Sequence, residues 1–462
     1  MTKMEWNKLL SSKRERPSKS KTTNYRNCFD ADFERIIPSS SLRRLQDKTQ
    51  VFPLQENDFT RTRLTHSIEV SSIGRSIGAQ IAQRLIDEDK LTNNEVDIIK
   101  SLSSLLAVCG LVHDLGNPPF GHYGEDVIKE WFRENGDKLN LGNEIIDDYS
   151  KFDGNAQTLR ILSKLQYMKD VYGMNCCYGT LATLIKYPNK GNKLSHFKSE
   201  QNLFNDIITT TGMKQEDKIY RHPATYLLEA ADDIAYLFAD LEDAVKKCPT
   251  CLQKILNYLK DKKDNIFTEE FSYENLMNAI ENFELKKHQE MPEEDIIATE
   301  IMSLRVNLQS YCINQVCNEF INSYDEIMRG EYRNESLCDA VKLKNLIGED
   351  GIIRNLCIKY AYNNIEVLKL EIIGKRVITT LLDLFVNAIL CEDYKKSKKE
   401  CGKFYSLISS SFKFIQHIDK NNNYNDDLDN YSKIQLVIDY ISGMTDSYAL
   451  NLHNTLIGTR LP

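Results

Sequence analysis

The chain has 462 residues, 41% hydrophobic and 27% charged, which is enough apolar material for a large buried core and excludes a fibrous or disordered polypeptide. Its 67 acidic against 59 basic side chains leave a formal charge of −8, which argues against broad polyanion binding but not against a local cationic cluster. Residues 1–20 are polar and basic without an apolar leader-like run, and the greasiest later stretch, 377–390, is broken by Thr379, Thr380, Asp383 and Asn387, so neither secretion nor membrane spanning is expected and a cytoplasmic location is.

Along the chain, helical periodicity dominates from position 61 onward. Val70, Ile73, Ile77, Ile81 and Leu85 recur at intervals of three or four and predict a helix over 61–85; counting back four from Val70 lands on His66, which therefore faces the core. A second apolar face, Leu102, Leu105, Leu106, Cys109 and Val112, delivers His113 and Asp114 just ahead of the breakers Gly116, Pro118 and Pro119. Next, 135–155 and 187–199 read as loops. A third helix is expected to begin near Pro223 and run through Leu228, Ala231, Ala235 and Ala239, with Asp232 beside that small-residue stripe. Twelve cysteines are scattered; the one Cys-x-x-Cys, Cys248-Pro249-Thr250-Cys251, lacks a second pair at zinc-finger spacing, so reduced thiols are expected. The polar run 420–430 reads as a further loop. With no set of alternating strands and no internal repeat, the expected class is all-α.

Taken singly, a histidine on an apolar face is more often a core residue than a ligand, an adjacent His-Asp pair is common, and Asp232-Asp233 could be a solvated helix edge. Jointly they read differently. Two imidazoles and two carboxylates on otherwise apolar faces would be costly to bury unpaired, and a divalent cation removes that cost. Such a donor set leaves coordination positions open for water and a phosphate oxygen, which points to hydrolysis.

The run His113-Asp114-Leu115-Gly116-Asn117-Pro118-Pro119-Phe120-Gly121-His122-Tyr123-Gly124-Glu125 is more specific. Together with Arg43-Arg44-Leu45-Gln46, Lys48-Thr49-Gln50-Val51-Phe52-Pro53, Arg61-Thr62-Arg63-Leu64-Thr65-His66-Ser67, Gly154-Asn155-Ala156-Gln157, Lys186-Tyr187-Pro188, Glu229-Ala230-Ala231-Asp232-Asp233-Ile234-Ala235-Tyr236 and Asp439-Tyr440-Ile441-Ser442-Gly443-Met444-Thr445-Asp446, it resembles the deoxyguanosine triphosphate triphosphohydrolase family of the HD superfamily. The resemblance covers about residues 25–450.

That resemblance implies an HD-domain, metal-dependent phosphohydrolase fold with a C-terminal helical extension: a polar arm at 1–24, a catalytic core at 25–247 and a helical region at 248–462 that completes the nucleotide pocket. It implies His66, His113, Asp114 and Asp232 as ligands of a divalent ion (Mn²⁺, Mg²⁺ or Fe²⁺), with Asp233 the weaker choice. It implies His122 as the catalytic histidine and Glu125 as the carboxylate that orients it. Arg63, Lys186, Tyr187 and Lys193 match phosphate-contacting positions, Tyr236 and Asp240 a wall near sugar and phosphates, Gln50 the partner of the 3′-hydroxyl, and Tyr362 an aromatic under the sugar. Glu371 matches a site-facing position. Where the family often has Tyr-x-His, this chain has Tyr362-Asn363-Asn364, which leaves the sugar wall less defined than the metal site. The expected reaction releases deoxynucleoside and triphosphate from a dNTP, dGTP foremost, and the resemblance further implies a homo-oligomer, a hexamer, with single-stranded DNA as a partner. Three other readings stay open on the sequence: a dNTP-binding sensor without turnover, a DNA-binding regulatory protein, and another HD phosphohydrolase such as a nucleoside monophosphatase.

Overall fold

In the computed structural model the described residues are 3–17, 26–48, 50, 61–166, 170–189, 191, 193–247, 250–261, 293–340, 351–359, 365–421 and 423–459. The apolar periodicities become long helices. Arg63–Asp87 buries Val70, Ile73, Ile77, Ile81 and Leu85, none more than 3% exposed, so the face counted back to His66 is the one that packs. Leu102–Val112 buries Leu102, Leu105, Leu106, Cys109 and Val112 completely. It ends two residues short of including His113 and Asp114; both lie in the turn that follows, because Gly116, Pro118 and Pro119 already bend the chain away. Pro223–Lys247 begins at its proline, whose missing N–H costs nothing in a first turn.

The first two helices meet backbone to backbone. Gly74 and Gly78 lie one turn apart on Arg63–Asp87, and Gly110 faces them from Leu102–Val112. A Cβ at Gly78 would stand 2.7 Å from Ser103 Cα, and one at Gly110 would stand 2.8 Å from Ser71 Cα. Ser71 Oγ donates to the Ala107 carbonyl at 2.7 Å across the same seam. Small residues thus set the axial position of the two helices that carry His66 and lead to His113.

The chain divides into two compact units, each assembled from separated segments. The first comprises Met1–Lys3, Glu69–Gly110 and Pro223–Leu368. Within it Pro223–Lys247 packs on Glu293–Asn322 and Ile352–Cys357, and Arg305 bridges Glu242 at 2.8 Å and Glu69 at 3.1 Å.

The second unit comprises Met4–Ile68, Leu111–His222 and Lys369–Pro462. Its core stacks Phe132, Tyr149 and Phe197, with successive ring centroids 4.9 and 5.6 Å apart. Its centre also holds a charge. Arg160, the last residue of helix Gly154–Arg160, is fully buried and pairs with Asp439 of helix Asn430–Ser442 through Nε at 2.8 Å and Nη2 at 2.6 Å, while Nη1 reaches Glu200 at 2.6 Å. A bidentate guanidinium with two carboxylates satisfies its donors where water cannot.

The all-α expectation holds: the one sheet among the described residues is the two-stranded hairpin Lys214–Gln215 with Lys218–Ile219. The expected loop at 135–155 contains a helix, Asn143–Tyr149, which buries Ile145 and Tyr149. Two turns are too short for periodicity to be read, and tertiary burial decides them. At 420–430 the described residues are irregular apart from a Tyr424–Ile418 bridge and the helix start at Asn430, with Asp419 accepting the Asn421 and Asn423 N–H groups at 2.8 Å each. Among the described residues no helix is long and apolar enough to cross a membrane.

A candidate metal and phosphate site

His66 lies in the first turn of Arg63–Asp87, its N–H bonded to the Thr62 carbonyl at 3.1 Å, and its ring is 1% exposed. The His113 ring stands edge-on to it, with centroids 5.4 Å apart. One nitrogen of each ring and one Asp114 oxygen all lie within 4.8 Å of one another. Two imidazoles and a carboxylate in this arrangement form a donor set suited to a borderline or hard divalent cation, so the residues fit the metal that the sequence implies.

The turn carrying His113 and Asp114 is held from several sides. Asp114 Oδ2 accepts from Arg63 Nη1 at 2.7 Å, and Oδ1 accepts from Asn117 Nδ2 at 2.7 Å. Gly116 N–H donates to Thr158 Oγ1 at 2.9 Å, and that hydroxyl donates to the His113 carbonyl at 3.3 Å. Arg63 is therefore committed to the Asp114 carboxylate through one nitrogen, while its buried Nε has no hydrogen-bond partner among the described residues.

Asp232 lies on Pro223–Lys247, half-buried, within the first unit; the other three proposed ligands belong to the second. Asp232, Tyr236 and Asp240 follow at steps of four and share one helix face, with Asp240 buried. The alternative acid, Asp233, accepts from Ser336 Oγ at 3.4 Å, a different direction from that face.

His122 is the second residue of helix Gly121–Asn135. Phe120 (φ 64°) and Gly121 (φ 63°) are consecutive left-handed residues, and only the glycine adopts that conformation without strain. The kink is secured by Phe120 N–H donating to Asp446 Oδ1 at 2.9 Å, and Gly121 abuts the Arg63 guanidinium, leaving no space for a side chain. His122 emerges with 76% of its side chain exposed, its Nδ1 3.6 Å from Oε2 of the buried Glu125. Glu125 Oε1 accepts Gly154 N–H at 3.0 Å, and a Cβ at Gly154 would approach that oxygen to 2.7 Å. The Glu125 carboxylate beside it raises the imidazole pKa; Arg63 and Asp114 act on the same ring with opposite signs. Asp153, the cap of Gly154–Arg160, is raised by burial first and then by Glu125.

The cationic set also gathers in part. Lys193 Nζ donates to Tyr187 OH at 2.8 Å and stands 4.5 Å from its ring centroid, with Lys186 Nζ at 5.6 Å from the same ring. Gln50 is half-buried, and its Oε1 has no hydrogen-bond partner among the described residues. Glu371, on helix Ile365–Leu390, is half-buried and acts on Tyr123, whose phenol is raised first by burial. Gly374 of that helix lies against Phe120, where a Cβ would meet Cγ at 2.9 Å. Tyr362, Thr49, Val51 to Pro53 and Cys248 lie outside the described residues.

Sequence reasoning missed the residues that brace the site. Lys48, 2% exposed, donates from Nζ to the Asn117 carbonyl and, at 2.9 Å, to the Ser442 carbonyl; burial pushes its amine down to about 7. Asn117, Thr158, Arg160, Asp439 and Asp446 likewise hold the loop or its supporting helix. Several were visible within the quoted motifs, but periodicity gives a polar residue no mark that it will be buried.

Comparison with known proteins accords with this geometry. An HD domain matches residues 63–184 and a phosphohydrolase-associated domain matches 416–455, which contains Asp439 and Asp446. A deoxyguanosinetriphosphate triphosphohydrolase-like protein of Listeria monocytogenes is 38% identical over 98% of this chain and 100% of its own length. A protein of the same description from Synechocystis is 31% identical over 99% of this chain and 100% of its own. The deoxyguanosinetriphosphate triphosphohydrolase of Yersinia pseudotuberculosis is 29% identical over 93% of each. With its HD domain and its end-to-end similarity to these relatives, the chain belongs to the deoxyguanosinetriphosphate triphosphohydrolase-like family.

Proposed function

We propose that the protein is a metal-dependent hydrolase that cleaves deoxynucleoside triphosphates at the α-phosphorus, dGTP foremost, to deoxynucleoside and intact triphosphate. The observation that carries this reading is the convergence of donor atoms from His66, His113 and Asp114 within 4.8 Å, in the same unit as the His122–Glu125 pair. A divalent ion held by His66, His113, Asp114 and Asp232 would supply Lewis acidity toward a phosphoryl oxygen and lower the pKa of water. Mn²⁺, Mg²⁺ and Fe²⁺ all suit these donors.

His122, protonated and oriented by Glu125, gives its proton to the departing 5′-oxygen, which prevents a deoxynucleoside alkoxide from having to leave. Arg63 fixes the Asp114 carboxylate and presents the rest of its guanidinium to a phosphate oxygen. Lys186, Tyr187 and Lys193 take the β- and γ-phosphates, and Tyr236 and Asp240 line the wall beside them. The Gln50 carbonyl oxygen accepts from the sugar 3′-hydroxyl, with Tyr362 and Glu371 completing the sugar wall. A homo-oligomer, a hexamer in this reading, and single-stranded DNA binding are carried over from the family resemblance; light scattering and a labelled-oligonucleotide titration test them.

The deciding experiment incubates the full-length protein with each dNTP and each ion and separates the products by chromatography. Deoxynucleoside appearing with free triphosphate is expected. Orthophosphate or pyrophosphate as the first product would transfer the protein to another phosphohydrolase class, and tight dNTP binding without turnover would make it a sensor.

A further inference from the structure

The signature Arg43-Arg44-Leu45-Gln46 takes no part in the chemistry above, yet Arg44 is half-buried with no ion pair or hydrogen bond among the described residues. Its guanidinium stands 5.8 Å from the Phe412 ring centroid and lines a cavity of about 150 Å³ in the second unit. Burial lowers its pKa. Asp439 borders the same cavity, but both its oxygens are taken by Arg160. An unpaired cation beside a polar void is costly unless something anionic enters.

The remaining wall shows what that is. Ser409 and Ser411 flank the start of helix Ser410–His417, whose cap residue Ser409 makes no side-chain capping bond, so first-turn N–H groups and hydroxyls are presented together. Gln157, 1% exposed, also borders the cavity and donates from Nε2 to Asp439 at 3.1 Å. The site therefore offers a cationic fork and several neutral donors.

We propose that this cavity binds a phosphate group, free or as a terminal phosphomonoester, at a place that shares no residue with the His66–His113–Asp114 cluster. The guanidinium holds two phosphate oxygens, and the serine hydroxyls and helix N–H groups take a third. Gln157 belongs to the helix that supports the His113 turn, and Gly443, another lining residue, follows Ser442, which holds Lys48.

The test is calorimetric titration of the full-length, metal-loaded protein with inorganic phosphate and methyl phosphate. The expected result is a phosphate-binding event, beyond any at the metal centre, that Arg44→Gln weakens about tenfold or more and Arg44→Lys restores in part. Ser411 is exposed, so Ser411→Asp tests the same event by charge repulsion without disturbing the core. Methyl phosphate binding as well as phosphate identifies a monoester ligand; binding of inorganic phosphate alone identifies the free ion. Equal phosphate affinity in wild type, Arg44→Gln and Ser411→Asp would overturn the proposal.

Discussion

In the proposed reaction, His122 and Glu125 divide one task between an exposed ring and a buried acid. The carboxylate is fixed by the Gly154 N–H, and the ring, 3.6 Å away, is free to reach a substrate. His122→Ala is expected to lower kcat by about 10²- to 10⁴-fold while the purified variant still binds its divalent ion; unchanged turnover would remove this residue from the reaction. Because Glu125 raises the imidazole pKa, the acid form persists above the ordinary value of about 6.5, and turnover should fall only as pH climbs through the raised value. Glu125→Gln removes that support, so its rate profile should fall at lower pH than the wild type's. Lys48 provides a stability test of opposite sign. Its folded-state amine titrates near about 7, well below a free lysine, so the unfolded chain binds a proton that the native protein does not. Relative to Lys48→Met, the wild type should gain stability as pH rises from about 7 toward 10, as read by urea unfolding at several pH values.

Among the elements, the seam between Arg63–Asp87 and Leu102–Val112 depends on residues with no side chain to spare. Gly78 was part of a helix that periodicity placed correctly, but nothing in that periodicity says which helix its bare face touches. With Ser103 Cα 2.7 Å from where a Cβ would stand, Gly78→Val should destabilise the protein by about 1–3 kcal/mol and lower Tm. Gly154→Ala is a more local test, since its methyl would press on Glu125 Oε1 and Asn117. It should impair turnover more than stability. The missed helix Asn143–Tyr149 shows the converse limit: seven residues with two buried positions carry too little pattern to be told from a loop until their partners are known.

At the scale of the whole chain, the C-terminal motif Asp439 to Asp446 works on the N-terminal half. Asp439 neutralises Arg160, Ser442 holds Lys48, and Asp446 fixes the Phe120 N–H at the kink before His122. Arg160→Leu leaves Asp439 and Glu200 buried without their cation and is expected to cost about 3–5 kcal/mol, measured by denaturant unfolding. A chain ending at Lys247 lacks all three partners. It should be insoluble or devoid of activity, and a stable, active product would show that the loop carrying His113 and His122 does not need them.

Residue order alone was enough for the helical class, the buried faces of the three principal helices, and which histidines and carboxylates to read as one set. Those features are written in local spacing and in residue chemistry, which survive without knowledge of neighbours. That His66, His113 and Asp114 meet, that Arg63 grips Asp114, and that Lys48, Arg160 and Asp446 are buried supports emerges from the folded chain. Each of these depends on partners tens to hundreds of residues away, and the energy that selects them, desolvation matched by a specific hydrogen bond, exists only once the chain has closed around them.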